Sequence, residues 1–289
     1  MVVKAVVMAG GKGERFWPLS RERFPKQLLS FVGKRSFLQE TIQRIEPLIP
    51  PQDILVVTGR PISRTVERQL PRVPRKNIIC EPVGRNTAPC IALAAKMIKK
   101  DAVMVVLPAD HIIKPRRKFL DTLKKAVTLA QETGNLITIG IKPTYPATGY
   151  GYIEIGTRKR GQVFSVKKFV EKPDKKKAES FLKSGRFFWN SGMFVWKKSV
   201  ILKAIERHMP SLYRGLEMIS SKNISKLYPR LPNVSIDYGI MEKAKNSLVI
   251  PADFSWEDLG SWESLDKFLS RDENKNTIMG RVSTIATRN

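Results

Sequence analysis

Residues 2–18 run Val2-Val3-Lys4-Ala5-Val6-Val7-Met8-Ala9-Gly10-Gly11-Lys12-Gly13-Glu14-Arg15-Phe16-Trp17-Pro18. The run Val2 to Ala9 reads as a short buried strand, and it passes directly into a glycine-rich loop. Gly10, Gly11 and Gly13 let backbone N–H groups approach an anion closely, and Lys12 and Arg15 place positive charge beside them. The segment therefore reads as a strand delivering a phosphate cradle. It is not a Walker A loop, because no Gly-Lys-Ser/Thr ends it, and Phe16 stands where a G-x-G-x-x-G loop needs its third glycine.

Working outward, Ser36 to Leu48 carries Phe37, Leu38, Ile42, Ile45 and Leu48 at helical spacing behind a serine N-cap, which completes one strand-loop-helix unit. The rhythm repeats. Ile54 to Thr58 reads as a strand, Ile62 to Leu70 as a helix, Asn77 to Cys80 as a strand, and Ala88 to Lys99 as a helix with Ile91, Ala92, Ala95 and Ile98 on one face. Ala102 to Leu107 is a buried-type strand, Phe119 to Ala130 an amphipathic helix, and Leu136 to Ile141 another apolar run. Such alternation predicts an α/β fold, Rossmann-like, with a mainly parallel sheet covered by helices on both faces. After Gly140 the texture changes. Tyr150 to Ile155, Val163 to Val170 and Gly192 to Trp196 predict antiparallel or edge strands forming a small lid, and helices are expected at Lys175 to Lys183, Ser199 to His208 and Ser261 to Phe268.

The whole chain has 289 residues, 42% hydrophobic and 27% charged, enough for one large α/β domain without staples. The expected organisation is a catalytic domain over 1–277, with 278–289 as the start of a truncated C-terminal β element. Cys80 and Cys90 are the two cysteines and are read as free thiols, so neither a disulfide framework nor a local zinc site is expected. No apolar stretch approaches a membrane span and the N-terminus lacks a signal-peptide pattern, so the expected location is cytoplasmic, with no membrane partner. The 52 Lys+Arg against 26 Asp+Glu give a net charge of +26, which implies anionic partners: nucleic acid, an acidic surface or polyphosphate. Without a zinc-finger pattern, an RNP-like motif or a basic recognition helix, nucleic acid is not expected. Lysine-rich surfaces also accompany growth at high temperature.

Open α/β sheets bind ligands at the carboxyl ends of their strands. Lys26, after Pro25, is a cation able to reach a second phosphate. Glu81-Pro82-Val83-Gly84-Arg85-Asn86-Thr87 offers a carboxylate, an amide and a hydroxyl that could read a base edge, although read alone it is an ordinary loop with Thr87 as helix cap. Asp110 closes one strand, Asp258 sits in a glycine turn far along the chain, and together they could hold one Mg²⁺. His111 is expected beside this pair, His208 at a helix end, and Trp17, Phe169 and Trp196 in the core. The basic runs Lys114 to Lys118 and Lys175 to Lys177 read as solvated faces.

The motifs AGGKGERFWPLSRERFPKQ, EPVGRNTAP, PADH, FVEKP, WNSGMF, SIDYGIMEK and WEDLGSWESL, in this order, resemble the bacterial mannose-1-phosphate guanylyltransferases, also called GDP-mannose pyrophosphorylases, of the sugar nucleotidyltransferase superfamily. The resemblance spans nearly the whole chain. It departs at Lys12 and Glu14, where the family often has Ser and Thr.

That resemblance implies the nucleotide-diphospho-sugar transferase fold and the reaction GTP + mannose 1-phosphate → GDP-mannose + pyrophosphate, by metal-assisted in-line attack on the α-phosphorus. It implies Lys12, Arg15, Lys26 and Lys172 as catalytic cations, with Arg15 on the departing charge and Lys26 near the α-phosphate. Ala9, Gly10, Gly11, Gly13, Glu81, Gly84, Asn86 and Thr87 would hold the nucleotide, and Gly149, Glu171, Asn190 and Asp237 the sugar. Asp110 and Asp258 would coordinate Mg²⁺. A homodimer, formed through a C-terminal element beyond Asn289, is a further implication. The alternative within the superfamily is another base or sugar, as in enzymes making dTDP-, UDP- or ADP-sugars.

Overall fold

The computed structural model describes residues 1–11, 16–31, 33–266, 273, 274 and 276. Lys12, Gly13 and Arg15, like the C-terminal element expected over 278–289, lie outside the described residues.

The chain forms, in order, β1 (Val3–Ala9), α1 (Phe37–Ile45), β2 (Ile54–Gly59), α2 (Ser63–Gln69), β3 (Ile78–Glu81), α3 (Thr87–Met97), β4 (Val103–Pro108), β5 (His111–Lys114), α4 (Arg116–Glu132) and β6 (Leu136–Ile141). There follow β7 (Tyr152–Arg160), β8 (Val163–Val170), α5 (Lys175–Ser184), β9 (Phe187–Lys197), α6 (Lys198–His208), α7 (Pro210–Met218), α8 (Ile224–Leu227), β10 (Ser247–Pro251), β11 (Ser255–Asp258) and α9 (Trp262–Asp266). Nine strands make one mixed sheet in the order β3-β2-β1-β4-β9-β6-β10-β8-β7, while β5 and β11 form a separate antiparallel pair. Within the large sheet, β3, β2, β1 and β4 are mutually parallel, as are β6 and β10.

Alternation along β1 builds two cores at once. Ala5, Val7 and Ala9 face a cluster with Leu38, Ile42, Val66, Phe119 and Leu123 from α1, α2 and α4, whereas Val6 faces Ile91, Ile201 and Leu212 from α3, α6 and α7. Helices therefore cover both faces, as the alternating sequence predicts. Burying each such Leu, Ile or Phe contributes about 1.5–3 kcal/mol. The predicted N-cap of α1 is realised as a capping box: Ser36 accepts from the Gln39 amide, and the Gln39 side chain accepts from the Ser36 N–H.

Several local expectations are corrected. The small antiparallel sheet exists, but β5 and β11 build it; the strands expected in the lid belong to the main sheet. The 192–196 run lies within β9, between β4 and β6 and antiparallel to both. Met193 to Trp196 is buried on both faces, which a central strand requires and an edge does not. α3 is not a one-faced helix: Ala88 to Ala95 is buried throughout, because α6 and α7 cover the side turned from the sheet. The cap of α3 is Asn86 rather than Thr87. Trp17 is 73% exposed rather than core, while Phe169 and Trp196 are buried as expected. Both cysteines are free thiols. Among the described residues no helix is long and apolar enough to cross a membrane.

Candidate active site

The parallel strands end at one edge, where Ala9, Gly59, Glu81 and Pro108 close β1, β2, β3 and β4. There the Gln27 side-chain amide donates to the carbonyls of Ala9 (2.9 Å), Gly10 (3.2 Å) and Gly11 (3.4 Å). The Thr58 hydroxyl also donates to Ala9 O. These bonds fix the path of the glycine loop as it leaves β1. Gly11 takes φ +96, a left-handed conformation open to glycine at no steric cost. Sequence reasoning passes over Gln27; its place in Pro25-Lys26-Gln27, one residue beyond Lys26, is the signal that could have found it.

Lys26 is buried, its side chain 7% exposed, and its ammonium lies 2.9 Å from Asp110 Oδ2 and 3.0 Å from Asp258 Oδ1. Burial by itself would lower the lysine pKa, but the two carboxylates outweigh it and raise it. For Asp110 burial pushes upward, and chiefly Lys26, by charge and hydrogen bond, overcomes it to hold the carboxyl below the usual range. Lys26 is thus kept as a cation and Asp110 as an anion. Asp258 arrives through β11, where it is the register partner of His111 in β5.

Asp110, His111 and Asp258 bring ligand atoms within 4.8 Å of one another, a set able to hold a metal ion. The donor chemistry narrows it to the carboxylates. Trp256 Nε1, which can only donate, reaches His111 Nδ1 at 3.1 Å, so the neutral ring carries its proton on Nε2 and offers no lone pair there. Burial lowers the His111 pKa and favours this neutral form. Two carboxylate oxygens already arranged about an ammonium suit a hard divalent cation. Arg44, whose pKa burial lowers to about 10, donates to His111 O and ties β5 to α1.

On one side of this centre lies the Glu81–Thr87 loop. Glu81 is buried, and its Oε2 lies 3.5 Å from where a Cβ on Gly10 would be. Asn86 caps α3 from φ 66, ψ −176, a region that side chains rarely enter. The Thr87 hydroxyl accepts from the Ile236 amide at 2.8 Å, so it engages a later segment of the chain. Gly84 has open space around it.

On the other side, Asn190 Nδ2 donates to Asp237 Oδ1 at 2.6 Å, and the Asn190 amide donates to Gly151 O. Burial pushes Asp237 up to about 6, assisted by nearby Glu171. Glu171 Oε2 would lie 2.7 Å from a Cβ on Gly151, so a side chain there would push the end of Glu171 aside. The crowded glycine is Gly151, whereas Gly149 has nothing within 4 Å of a built Cβ. Lys172 takes φ 39, unusual for a residue with a Cβ, and its ammonium lies 3.2 Å from Glu171. Glu171, Asn190 and Asp237, drawn from three distant parts of the sequence, are thereby brought together. Tyr150 joins this side to the carboxylate pair, its hydroxyl donating to Asp258 O and its ring meeting Trp189 and Trp256 edge-on.

The chain matches the Nucleotidyl transferase family over residues 4–275. It is 40% identical to mannose-1-phosphate guanylyltransferase of Salmonella montevideo over 97% of its length, and 38% identical to mannose-1-phosphate guanylyltransferase of Escherichia coli over 98%. It spans 63% and 65% of the lengths of these curated relatives. Among solved structures, mannose-1-phosphate geranyltransferase from Thermus thermophilus superposes with a TM-score of 0.85 at 36% identity, covering 97% of this chain and 83% of that one.

Proposed function

The chain belongs to the nucleotidyl transferase family, and from that premise we propose that it transfers GMP from GTP to α-D-mannose 1-phosphate, releasing pyrophosphate and forming GDP-mannose. The observation that carries the reading is the Lys26–Asp110–Asp258 cluster, set at the strand ends between the Glu81 loop and the Glu171–Asn190–Asp237 group. The names of the relatives, at 38–40% identity, supply the choice of guanine and mannose.

The reaction needs no protein nucleophile. A sugar-phosphate oxygen forms a bond to the α-phosphorus as the bond to pyrophosphate breaks, so the work is positioning and charge neutralisation. Gln27 holds Ala9, Gly10 and Gly11 in place for the triphosphate. Lys12, Gly13 and Arg15 continue that cradle in this reading, with Arg15 on the departing pyrophosphate. Lys26, held protonated by its carboxylates, presents a fixed positive charge for the α-phosphate. Asp110 and Asp258 would hold Mg²⁺, which supplies further positive charge to phosphate oxygens. Glu81, Gly84, Asn86 and Thr87 form the base side. Glu171, Asn190 and Asp237 accept and donate hydrogen bonds to the mannose hydroxyls, Gly149 lines the approach, and Lys172 neutralises the sugar phosphate.

Steady-state pyrophosphate release with GTP, ATP, UTP and dTTP, each against mannose 1-phosphate and glucose 1-phosphate in Mg²⁺, tests the proposal. Release confined to GTP with mannose 1-phosphate supports it. A preference for another pair overturns the base or sugar assignment, and silence with every pair overturns the activity.

A further inference from the structure

Glu81 is a buried carboxylate that, among the described residues, forms no ion pair. Its hydrogen-bond donor there is the hydroxyl of Tyr228, which reaches Oε1. Tyr228 comes from the turn after α8, 147 residues along the chain from Glu81 and outside the motifs of the site. Its ring is fully buried in the core cluster that includes α3 and α7, so the hydroxyl is delivered by a packed side chain. The second oxygen, Oε2, is the one turned towards Gly10 at the end of β1. A buried carboxylate without a cation is costly unless its acceptor capacity is filled. With Oε1 engaged from within the protein, the capacity of Oε2 is directed to the glycine loop, where a nucleotide base would lie.

We propose that Tyr228 is a positioning residue for base selection: by holding Oε1 it fixes the plane of the Glu81 carboxylate so that Oε2 accepts from the N–H edge of guanine. Guanine offers adjacent N1–H and N2–H donors to such an acceptor, while adenine presents an unprotonated N1 that a carboxylate repels. This deepens the guanine reading above and rests on it. Tyr228 touches neither substrate, so its loss acts through Glu81 alone.

The test compares wild type, Tyr228→Phe, Glu81→Gln and the double variant in pyrophosphate release with mannose 1-phosphate, using GTP and ATP. Tyr228→Phe removes only the hydroxyl. It is expected to raise KM for GTP about tenfold, to lower the preference for GTP over ATP by a similar factor, and to leave kcat and KM for mannose 1-phosphate unchanged. In the Glu81→Gln background it is expected to change nothing further. An unaltered GTP preference in Tyr228→Phe overturns the proposal, and an equal loss in the Glu81→Gln background shows a packing role and also overturns it. A Glu81→Gln variant that keeps the preference likewise overturns the proposal, whereas a wild type that does not prefer GTP instead removes the guanine reading beneath it. Tyr228→Met, which lacks the hydroxyl but refills the space with a pliable apolar chain, gives the same comparison should the phenylalanine variant fold poorly.

Discussion

His111 and Asp258 face each other across the β5–β11 pair, and this register sets the Asp258 carboxylate beside that of Asp110. The small sheet is thus a device for bringing two carboxylates from distant parts of the chain to one cation. Trp256, on β11, also binds His111 and keeps its ring out of the cation site.

Asp110→Asn removes one of the two charges about that cation. It should lower metal-dependent turnover by about 10²-fold or more while the protein stays folded. Pyrophosphate release and a melting curve on the same preparation check this, and full activity in the variant would dispose of the metal-site proposal.

Lys26 pairs with both carboxylates proposed to hold a divalent cation and competes with it for their charge. Lys26→Met leaves two carboxylates facing each other without their ammonium, so the nucleotide-free protein should bind Mg²⁺ more tightly than wild type although turnover falls. Titration calorimetry with Mg²⁺ alone measures this. Weaker Mg²⁺ binding in the variant would mean that lysine and metal do not share the carboxylates.

Gln27→Ala leaves three loop carbonyls without their shared donor. Ala9 O keeps its Thr58 donor, and Gly10 and Gly11 are exposed to water, so the loss is that of a net hydrogen bond, about 0.5–1.5 kcal/mol. Denaturant unfolding should register a loss of that order, accompanied by a higher KM for GTP, whereas an unchanged KM would show that the loop path does not depend on Gln27.

At Gly151 a methyl group would lie 2.7 Å from Glu171 Oε2. Gly151→Ala should therefore displace Glu171 and raise KM for mannose 1-phosphate about tenfold or more, with KM for GTP unaffected. Gly149→Ala, where space is open, should be mild by comparison. The reverse ranking of the two variants would place the sugar elsewhere.

Asp237, raised to about 6 in the fold, is stabilising when protonated and costs stability as it ionises. Its unfavourable contribution is absent below the ordinary carboxylate pKa, grows as pH rises, and is complete above about 6. Asp237→Asn should therefore melt closer to wild type at pH 4 and higher than wild type at pH 7.5. Equal differences at both pH values would show that Asp237 does not carry the shift.

The layout of the sheet is legible where periodicity speaks: β1 to β4 and their helices follow from apolar runs broken by turn residues. The place of β9 is not, because a strand buried on both faces looks, over Met193 to Trp196, like any short apolar run, and nothing local says which strands flank it. β5 and β11 are four residues each, too short for a pattern. Glu81, Asp110, Asp258, Glu171 and Asn190 are all reached through motifs, the first three also through position after a strand or turn. Tyr228 is not, because its partner is created only by the fold; Gly151 loses out to Gly149 because spacing does not show which glycine faces a side chain.

The central claim is tested most directly by the rate of pyrophosphate release at saturating Mg²⁺ for GTP with mannose 1-phosphate, set against every other pairing of the four nucleotides with mannose 1-phosphate or glucose 1-phosphate. Rapid release is predicted for that one pair, with at least about tenfold slower release for all others. Equal or faster release with ATP, UTP or dTTP, or with glucose 1-phosphate, would contradict it.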